Sequence, residues 1–352
     1  MENRYEKFVL EAEEGIAFKV SEGITGELII RAVLKNSNET ISNEHPILPE
    51  VSLGEYATVL SVYTDQDGNK AVIPAGWTVS GTRGENTIWG KNKSLVIYRI
   101  PKEKVSTINW SNSYEIDNLK RMYDQLVWVP VSLLASNGTT EGSLFTEKFS
   151  SPTHGINEFS ESECNETLTV ELVRQLEGVK KYGGFYISRY NISESADGKP
   201  RSIKGRKPWV NIDFDTAKKV AAAMEDNDAV KSHLPFGIEY DSVLDWFIKS
   251  GAKTRYEITE NSKDWGNYWN TVNSPKEIAE TGSCVEWCVN NLYDLAGNIE
   301  EWTQEHKASS YCITRGGSFD HLGIFSPVAH RNSHTPAEYC SKIGFRAILY
   351  IK

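Results

Sequence analysis

The chain has 352 residues, 39% hydrophobic and 24% charged, with a net charge of −10. This composition is typical of globular proteins and excludes a mostly disordered chain. The negative charge disfavours nucleic acid and anionic membranes as partners. No apolar run approaches the roughly 20 residues of a membrane-spanning helix, so we expect no membrane insertion. The amino-terminal residues lack the basic and then apolar pattern of an export signal, which predicts a soluble protein made in the cytoplasm.

The first 125 residues predict β structure followed by one helix. Apolar residues recur at helical intervals over 113–126, which predicts a helix there. We interpret residues 1–70 as a β-rich attachment or oligomerisation module, and residues 71–125 as a β unit and helix that lead into the main domain. The strands are predicted, on short apolar stretches between polar connectors, at 26–34, 56–63, 71–80 and 94–100.

Residues 126–352 are predicted to form the main domain. It opens with a strand at 126–131 and continues with three helices that have capping or stop signals. After Trp265 the chain is rich in Gly, Asn, Ser and aromatic residues, which predicts long loops and short strands. The helices are expected at Leu168–Lys180 before Gly183, at Asp215–Met224 with an aspartate cap at 213 or 215, and at Tyr240–Lys249 before Gly251.

Five cysteines in a long chain are not a disulfide scaffold, and we interpret most of them as free thiols. Cys284 and Cys288 are separated by three residues, and no second pair completes a four-ligand zinc site. Structural thiols or one disulfide are the two interpretations that remain for this pair.

Three motifs in the last third of the chain carry a resemblance. Residues 291–303 read Asn-Leu-Tyr-Asp-Leu-Ala-Gly-Asn-Ile-Glu-Glu-Trp-Thr, 314–319 read Thr-Arg-Gly-Gly-Ser-Phe, and 343–347 read Ile-Gly-Phe-Arg-Ala. Their order and spacing resemble the formylglycine-generating enzyme (sulfatase-modifying factor) family over about 126–352. The resemblance implies an α+β, C-type-lectin-like domain with much irregular structure, preceded by a β-rich amino-terminal region.

The oxidase branch of that family uses two cysteines after the Gly-Gly-Ser-aromatic motif to bind copper. The residues aligned with those cysteines here are His321 and Ser326, and a serine supplies no thiolate for Cu(I). The enzyme alternative is therefore a sulfatase-modifying type of oxidoreductase with a rearranged site that uses Cys312 and Cys340.

Other candidate catalytic and metal residues have plainer interpretations. Glu300 and Glu301 are adjacent on a predicted strand and face opposite ways, so we expect no acid–base pair and no catalytic residue. We interpret His321, His330 and His334 as exposed loop histidines, not as zinc ligands. No cofactor is expected, and the resemblance allows a structural Ca²⁺ held by Asn298 and neighbouring carbonyls, as in some family members.

The window from 320 to 341 has an unusual composition. Of its 22 residues only Glu338 belongs to the set Lys, Glu, Gln, Met and Trp, which makes up about a fifth of the chain. No codon that ends in a pyrimidine encodes these five types, so their scarcity is the result expected when Asn codons are randomised at their adenines. The block between the Gly-Gly-Ser-Phe and Ile-Gly-Phe-Arg motifs, about 318–343, resembles the variable region of diversity-generating retroelement proteins.

This resemblance implies a fixed frame and changeable contact residues. Gly and Pro fix a loop without using side chains for contact. The predicted function is non-enzymatic binding of a protein or cell-surface ligand by a phage, prophage or bacterial-surface protein. The alternative for the apolar Leu322, Ile324 and Phe325 is that they fill the core. The predicted frame residues are Gly316, Gly317, Gly323, Pro327, Arg331, Pro336, Gly344 and Arg346. The predicted contact residues are Asp320, His321, Leu322, Ile324, Phe325, Ser326, Ala329, His330, Asn332, Ser333, His334, Tyr339 and Ser341.

Overall fold

The structure is a computed structural model that describes residues 47–134, 148–149, 164–167, 169–307 and 310–352. The strand predicted at 26–34 and most of the module predicted at 1–70 lie outside these residues. The contacts divide the chain into Met1–Pro46 and Ile47–Lys352, and the description below concerns the second unit.

The described elements include seventeen strands and six α-helices. The helices are α1 (Lys102–Val105), α2 (Ser113–Met122), α3 (Val170–Tyr182), α4 (Phe214–Ala222), α5 (Gly237–Lys249) and α6 (Arg255–Thr259). The strands are β1 (Ser61–Thr64), β2 (Lys70–Ile73), β3 (Thr78–Val79), β4 (Val96–Tyr98), β5 (Gln125–Val129), β6 (Cys164–Glu166), β7 (Phe185–Ser188), β8 (Ser193–Glu194), β9 (Pro200–Arg201), β10 (Val230–His233), β11 (Cys288–Val289), β12 (Leu292–Tyr293), β13 (Glu300–Lys307), β14 (Tyr311–Arg315), β15 (Arg331–His334), β16 (Ile343–Gly344) and β17 (Ile348–Ile351).

The larger sheet is antiparallel, with the strand order β10-β17-β7-β5-β4-β3. Its central strands β5 and β7 are buried along their whole length, as their runs of apolar residues predict. The predicted boundary at 125 falls between β4 and β5, which pair directly from Val96 opposite Val127 to Tyr98 opposite Gln125. Residues 71–125 therefore supply strands to the same sheet as the domain predicted to begin at 126.

The smaller sheet carries the window and has the order β15-β14-β13-β16, with β6 also paired to β13. β13 and β14 form an irregular hairpin, and β15 pairs with β14 from Arg331 opposite Arg315 to His334 opposite Cys312. The core beside this sheet includes Trp302 and Phe345.

The helix predictions are confirmed where a local cap defines the end. α3 ends before Gly183, whose φ of 83° is the left-handed conformation of a helix stop. α4 begins after Asp213, whose side chain accepts a hydrogen bond from Thr216 N. α5 begins at Gly237, three residues before the predicted start, because the Glu239 carboxylate accepts a hydrogen bond from the Phe236 N–H at 2.8 Å.

Candidate functional site

Two glycines lead the chain from β14 into the window. Gly316 and Gly317 have φ values of 95° and 71°, a backbone conformation that residues other than glycine rarely adopt. A Cβ atom at Gly317 would lie 2.6 Å from the Ser326 carbonyl oxygen, and one at Gly344 would lie 2.6 Å from the Trp209 carbonyl oxygen. The window is thus entered and left at positions where only glycine fits without displacement of neighbouring atoms.

Gly323 lies in the middle of the window against a neighbouring loop. Its N–H donates to Asn270 Oδ1 at 3.1 Å, and its carbonyl accepts a hydrogen bond from Ser262 N at 3.0 Å. A Cβ atom at this position would lie 2.6 Å from Lys263 N. The backbone of the window is therefore fixed at its centre as well as at its ends.

The two predicted frame arginines are buried and bonded. Arg331 donates to Glu305 at 2.9 Å and to Asp241 at 2.8 Å. Arg346 donates from Nε to Glu301 Oε1 at 2.7 Å. Burial raises the pKa of Glu301 to about 7 although Arg346 opposes that shift. Of the two frame prolines, Pro327 is buried and Pro336 is half-buried.

The predicted contact residues divide by exposure. Ser326 and Ala329 are buried, so their placement on a contact surface was wrong. The Ala329 N–H bonds to Ile258 O at 3.2 Å, which holds this stretch against α6 and turns its side chain into the core. The exposed members are Asp320, Phe325, Tyr339 and Ser341, and the half-buried members are His321, Leu322, Ile324, His330, Asn332, Ser333 and His334.

The three histidines are half-buried and not exposed, and two of them lie against Glu300. His334 Nε2 lies 2.8 Å from Glu300 Oε2, and His321 Nδ1 lies 3.6 Å from Oε1. Asn332 Nδ2 donates to the same carboxylate at 3.0 Å, and the Thr314 hydroxyl donates at 2.5 Å. One buried carboxylate of the scaffold thus gathers three side chains of the window.

The electrostatics around Glu300 follow from these contacts. Burial alone would raise the pKa of Glu300, but the hydrogen bond and the charge of His334 outweigh it and lower the pKa to about 2. For His334, burial acts to lower the pKa, and the bond to Glu300 overcomes it and raises the pKa. Burial lowers the pKa of His330 to about 4, which favours a neutral ring.

The role of Glu300 was missed from the sequence, although the opposed directions of Glu300 and Glu301 were predicted. Glu301 pairs with Arg346 and accepts from Asn191 Nδ2 at 2.6 Å, in a different environment from that of Glu300. The partners of Glu300 in the window lie 21 to 34 residues further along the chain. A carboxylate at the very start of a buried strand is the signal that could have marked it.

The cysteines and the candidate metal positions show no assembled metal site. All five cysteines are free, and burial raises the pKa of Cys312 to about 11. In the part of the chain that the structure describes, no group of three His, Cys, Asp or Glu side chains is arranged to hold a metal ion. Asn298 Oδ1 already accepts from Asn267 Nδ2 at 3.0 Å and from Ala279 N at 2.9 Å. Asn298 Oδ1 could therefore bind Ca²⁺ only if both of these hydrogen bonds were broken.

Several solved structures are similar to this chain, and three of them illustrate the likeness. They are Treponema denticola variable protein 1 (17% identity, 47% of this chain and 84% of that chain, TM-score 0.34), CarF (19%, 48% and 87%, 0.34) and PvdO from Pseudomonas aeruginosa (16%, 48% and 81%, 0.35). The comparison with curated proteins found no match. No helix among the described residues is long and apolar enough to cross a membrane.

The family model for the sulfatase-modifying factor enzyme 1-like domain matches residues 63–351. This match begins well before residue 126, which is the start that the resemblance gives for the domain. The earlier start agrees with the pairing of β4 and β5 in one sheet. The mixture of helices and sheets is the predicted α+β, C-type-lectin-like fold. The chain belongs to the family of sulfatase-modifying factor enzyme 1-like domains.

Proposed function

We propose that this chain is a non-enzymatic binding protein whose window at 318–343 contacts a protein or cell-surface ligand. The observation that carries the proposal is the separation of two sets of residues within one window. The frame residues Gly323 and Arg331 are buried and bonded to the scaffold, whereas Phe325 and Tyr339 are 51% and 66% exposed. Side chains of the second kind can change without moving the backbone.

The amino-acid composition of the window supports the same function, because it reflects the codons that a diversified gene would contain. Asn codons that end in a pyrimidine and are randomised at their adenines would account for the near absence of Lys, Gln, Met, Trp and Glu between 320 and 341. A diversity-generating retroelement produces such codons, and its product is useful only where the altered side chains reach solvent. Four of the predicted contact residues are exposed and seven are half-buried, which fits a surface that tolerates change.

The proposal includes a place for the protein. A variable binding surface serves a phage or prophage that must recognise changing host surfaces, so we assign the chain to a virion or a bacterial surface. The acidic amino-terminal region, with eleven Glu in the first 60 residues, would attach the binding domain or assemble copies of the chain. The net charge of −10 argues against nucleic acid as the ligand.

Deep sequencing of this gene in its native population tests the proposal. We expect substitutions to concentrate at the exposed and half-buried positions between 320 and 341, and to spare Gly323 and Arg331. Sparse variation spread evenly over the gene would contradict diversification and remove the main argument for display.

The family match keeps an oxidoreductase as the second candidate, with Cys312 and Cys340 as its thiols. Both residues pack in or against the same hydrophobic cluster, but the raised pKa of Cys312 works against the thiolate that Cu(I) requires. Competition with a Cu(I) chelator decides between the two functions. Tight binding that is lost in Cys312→Ser and Cys340→Ser would favour the enzyme.

A further inference from the structure

A loop outside the window presents two large apolar side chains beside it. In the loop at 267–276, which we call the companion loop, Trp269 is 52% exposed and Val272 is 91% exposed. The family motifs at 291–303, 314–319 and 343–347 do not include these residues. Exposed apolar side chains that cluster on a surface mark interaction sites more often than scattered ones do.

The companion loop is bonded directly to the window. The backbone N–H of Trp269 donates to the His321 carbonyl at 2.9 Å, and Asn270 Oδ1 accepts from Gly323 N at 3.1 Å. These two bonds place Trp269 next to the stretch that carries Leu322, Ile324 and Phe325. The two segments therefore form one continuous surface, with changeable residues on one side and a fixed tryptophan on the other.

The companion loop is also held rigidly from within. Thr271 Oγ1 donates to Gly266 O at 2.8 Å, and Ser274 Oγ donates to Asn267 Oδ1 at 2.6 Å. Lys276 Nζ donates to the carbonyls of Trp269 and Thr271, and it lies 5.7 Å from the centre of the Trp269 ring. A rigid loop loses little conformational entropy when a partner binds, so its contacts contribute more fully to affinity.

We propose that the companion loop is the fixed half of the ligand-binding surface, and that Trp269 contacts an apolar patch on a protein ligand. This inference rests on the proposed function. Tryptophan is the residue type most enriched among binding hot spots. A sugar would need polar side chains beside the ring, but the oxygens of Asn267 and Asn270 accept bonds within the protein. The chemistry of the loop thus favours a protein over a glycan.

The test uses the full chain randomised at Asp320, Leu322, Ile324 and Phe325, displayed and selected for binding to lysozyme as a defined protein target. Trp269→Ser is then introduced into each selected clone, with Val272→Ser as a second variant whose side chain is almost wholly exposed. Tyr114→Ser is the matched control, because Tyr114 is an aromatic residue on α2 and is 76% exposed. The thermal midpoint of each variant verifies that it folds.

We expect Trp269→Ser to raise the Kd for lysozyme by about fivefold or more in the median clone, and Tyr114→Ser to leave it unchanged. If Trp269→Ser and Val272→Ser raise the median Kd by less than this in clones that do bind, the role proposed for the companion loop is overturned. The proposed function then stays intact. Failure to select any binder would overturn both. Binding of the unmodified chain to a glycan array, lost in Trp269→Ser, would assign the loop to sugars and refute the protein ligand.

Discussion

At the scale of single residues, Glu300 restricts which side chains the window can place against it. It is buried and ionised, and its oxygens accept from Thr314, Asn332 and His334. A buried carboxylate without donors costs several kcal/mol, so positions 332 and 334 favour residues that supply an N–H or O–H. Asn, the residue encoded before randomisation in the retroelement scheme, supplies such a donor at either position. One scaffold residue therefore restricts which side chains these two sites accept.

The pair of His334 and Glu300 predicts a stability that depends on pH. The folded pKa of His334 is raised above its usual 6.5, so its contribution is fully present below about pH 6.5 and is lost as the pH rises through the folded value. We expect His334→Gln to lower the free energy of unfolding more at pH 5.5 than at pH 8.5, as measured by urea denaturation.

His306 provides the opposite case for comparison with His334. Burial lowers its pKa, so its contribution is present above about pH 6.5 and is lost as the pH falls. His306→Gln should therefore cost more at pH 8.5 than at pH 5.5. Parallel pH profiles for the two variants would refute the opposite pKa shifts assigned to these two histidines.

At the scale of elements, we predict that neighbouring positions of the window differ in how well they tolerate substitution. Gly323→Ala places a methyl group against Lys263 N, at 2.6 Å before any relaxation, and must displace the loop from its bonds to Ser262 and Asn270. We expect a loss of about 1–3 kcal/mol in the free energy of unfolding, measured by urea denaturation. Phe325→Ser, two residues away and half exposed, should change it by about 0.5 kcal/mol or less. Equal losses would contradict the division into frame and contact residues.

Elements whose ends are decided locally could be predicted, and contacts between distant residues could not. Gly183 and Asp213 mark helix ends through bonds within a few residues of themselves. The inward position of Ala329 depends on α6, some 70 residues earlier, and a window without periodicity carries no burial signal. For the same reason the histidines were misread, because Glu300 lies on another strand. The companion loop, with Trp269, was missed because its place beside the window depends on tertiary contacts.

At the scale of the whole described domain, a ring of four buried charges joins α5 to strands β13, β14 and β15. Arg331 of β15 and Arg315 of β14 each bridge Asp241 of α5 and Glu305 of β13, with nitrogen–oxygen distances from 2.6 to 3.1 Å. The window is thereby tied to the scaffold, and this tie is the physical reason for including Arg331 in the frame that we propose. Burying such charges is costly, so the ring is stable only while all four members are present.

Arg331→Met should therefore destabilise the entire described domain and not the window alone. Methionine fills much of the same volume but leaves two carboxylates with one arginine, so we expect a loss of about 3–5 kcal/mol in the free energy of unfolding. The control is Arg121→Met, which breaks an exposed pair with Asp117 on α2 at 2.9 Å and should cost about 0.5 kcal/mol or less. Urea denaturation followed by tryptophan fluorescence and by circular dichroism measures both. Because the ring joins a helix to three strands, the two probes should shift together in Arg331→Met, whereas a shift confined to one probe would limit the role of Arg331 to its own loop.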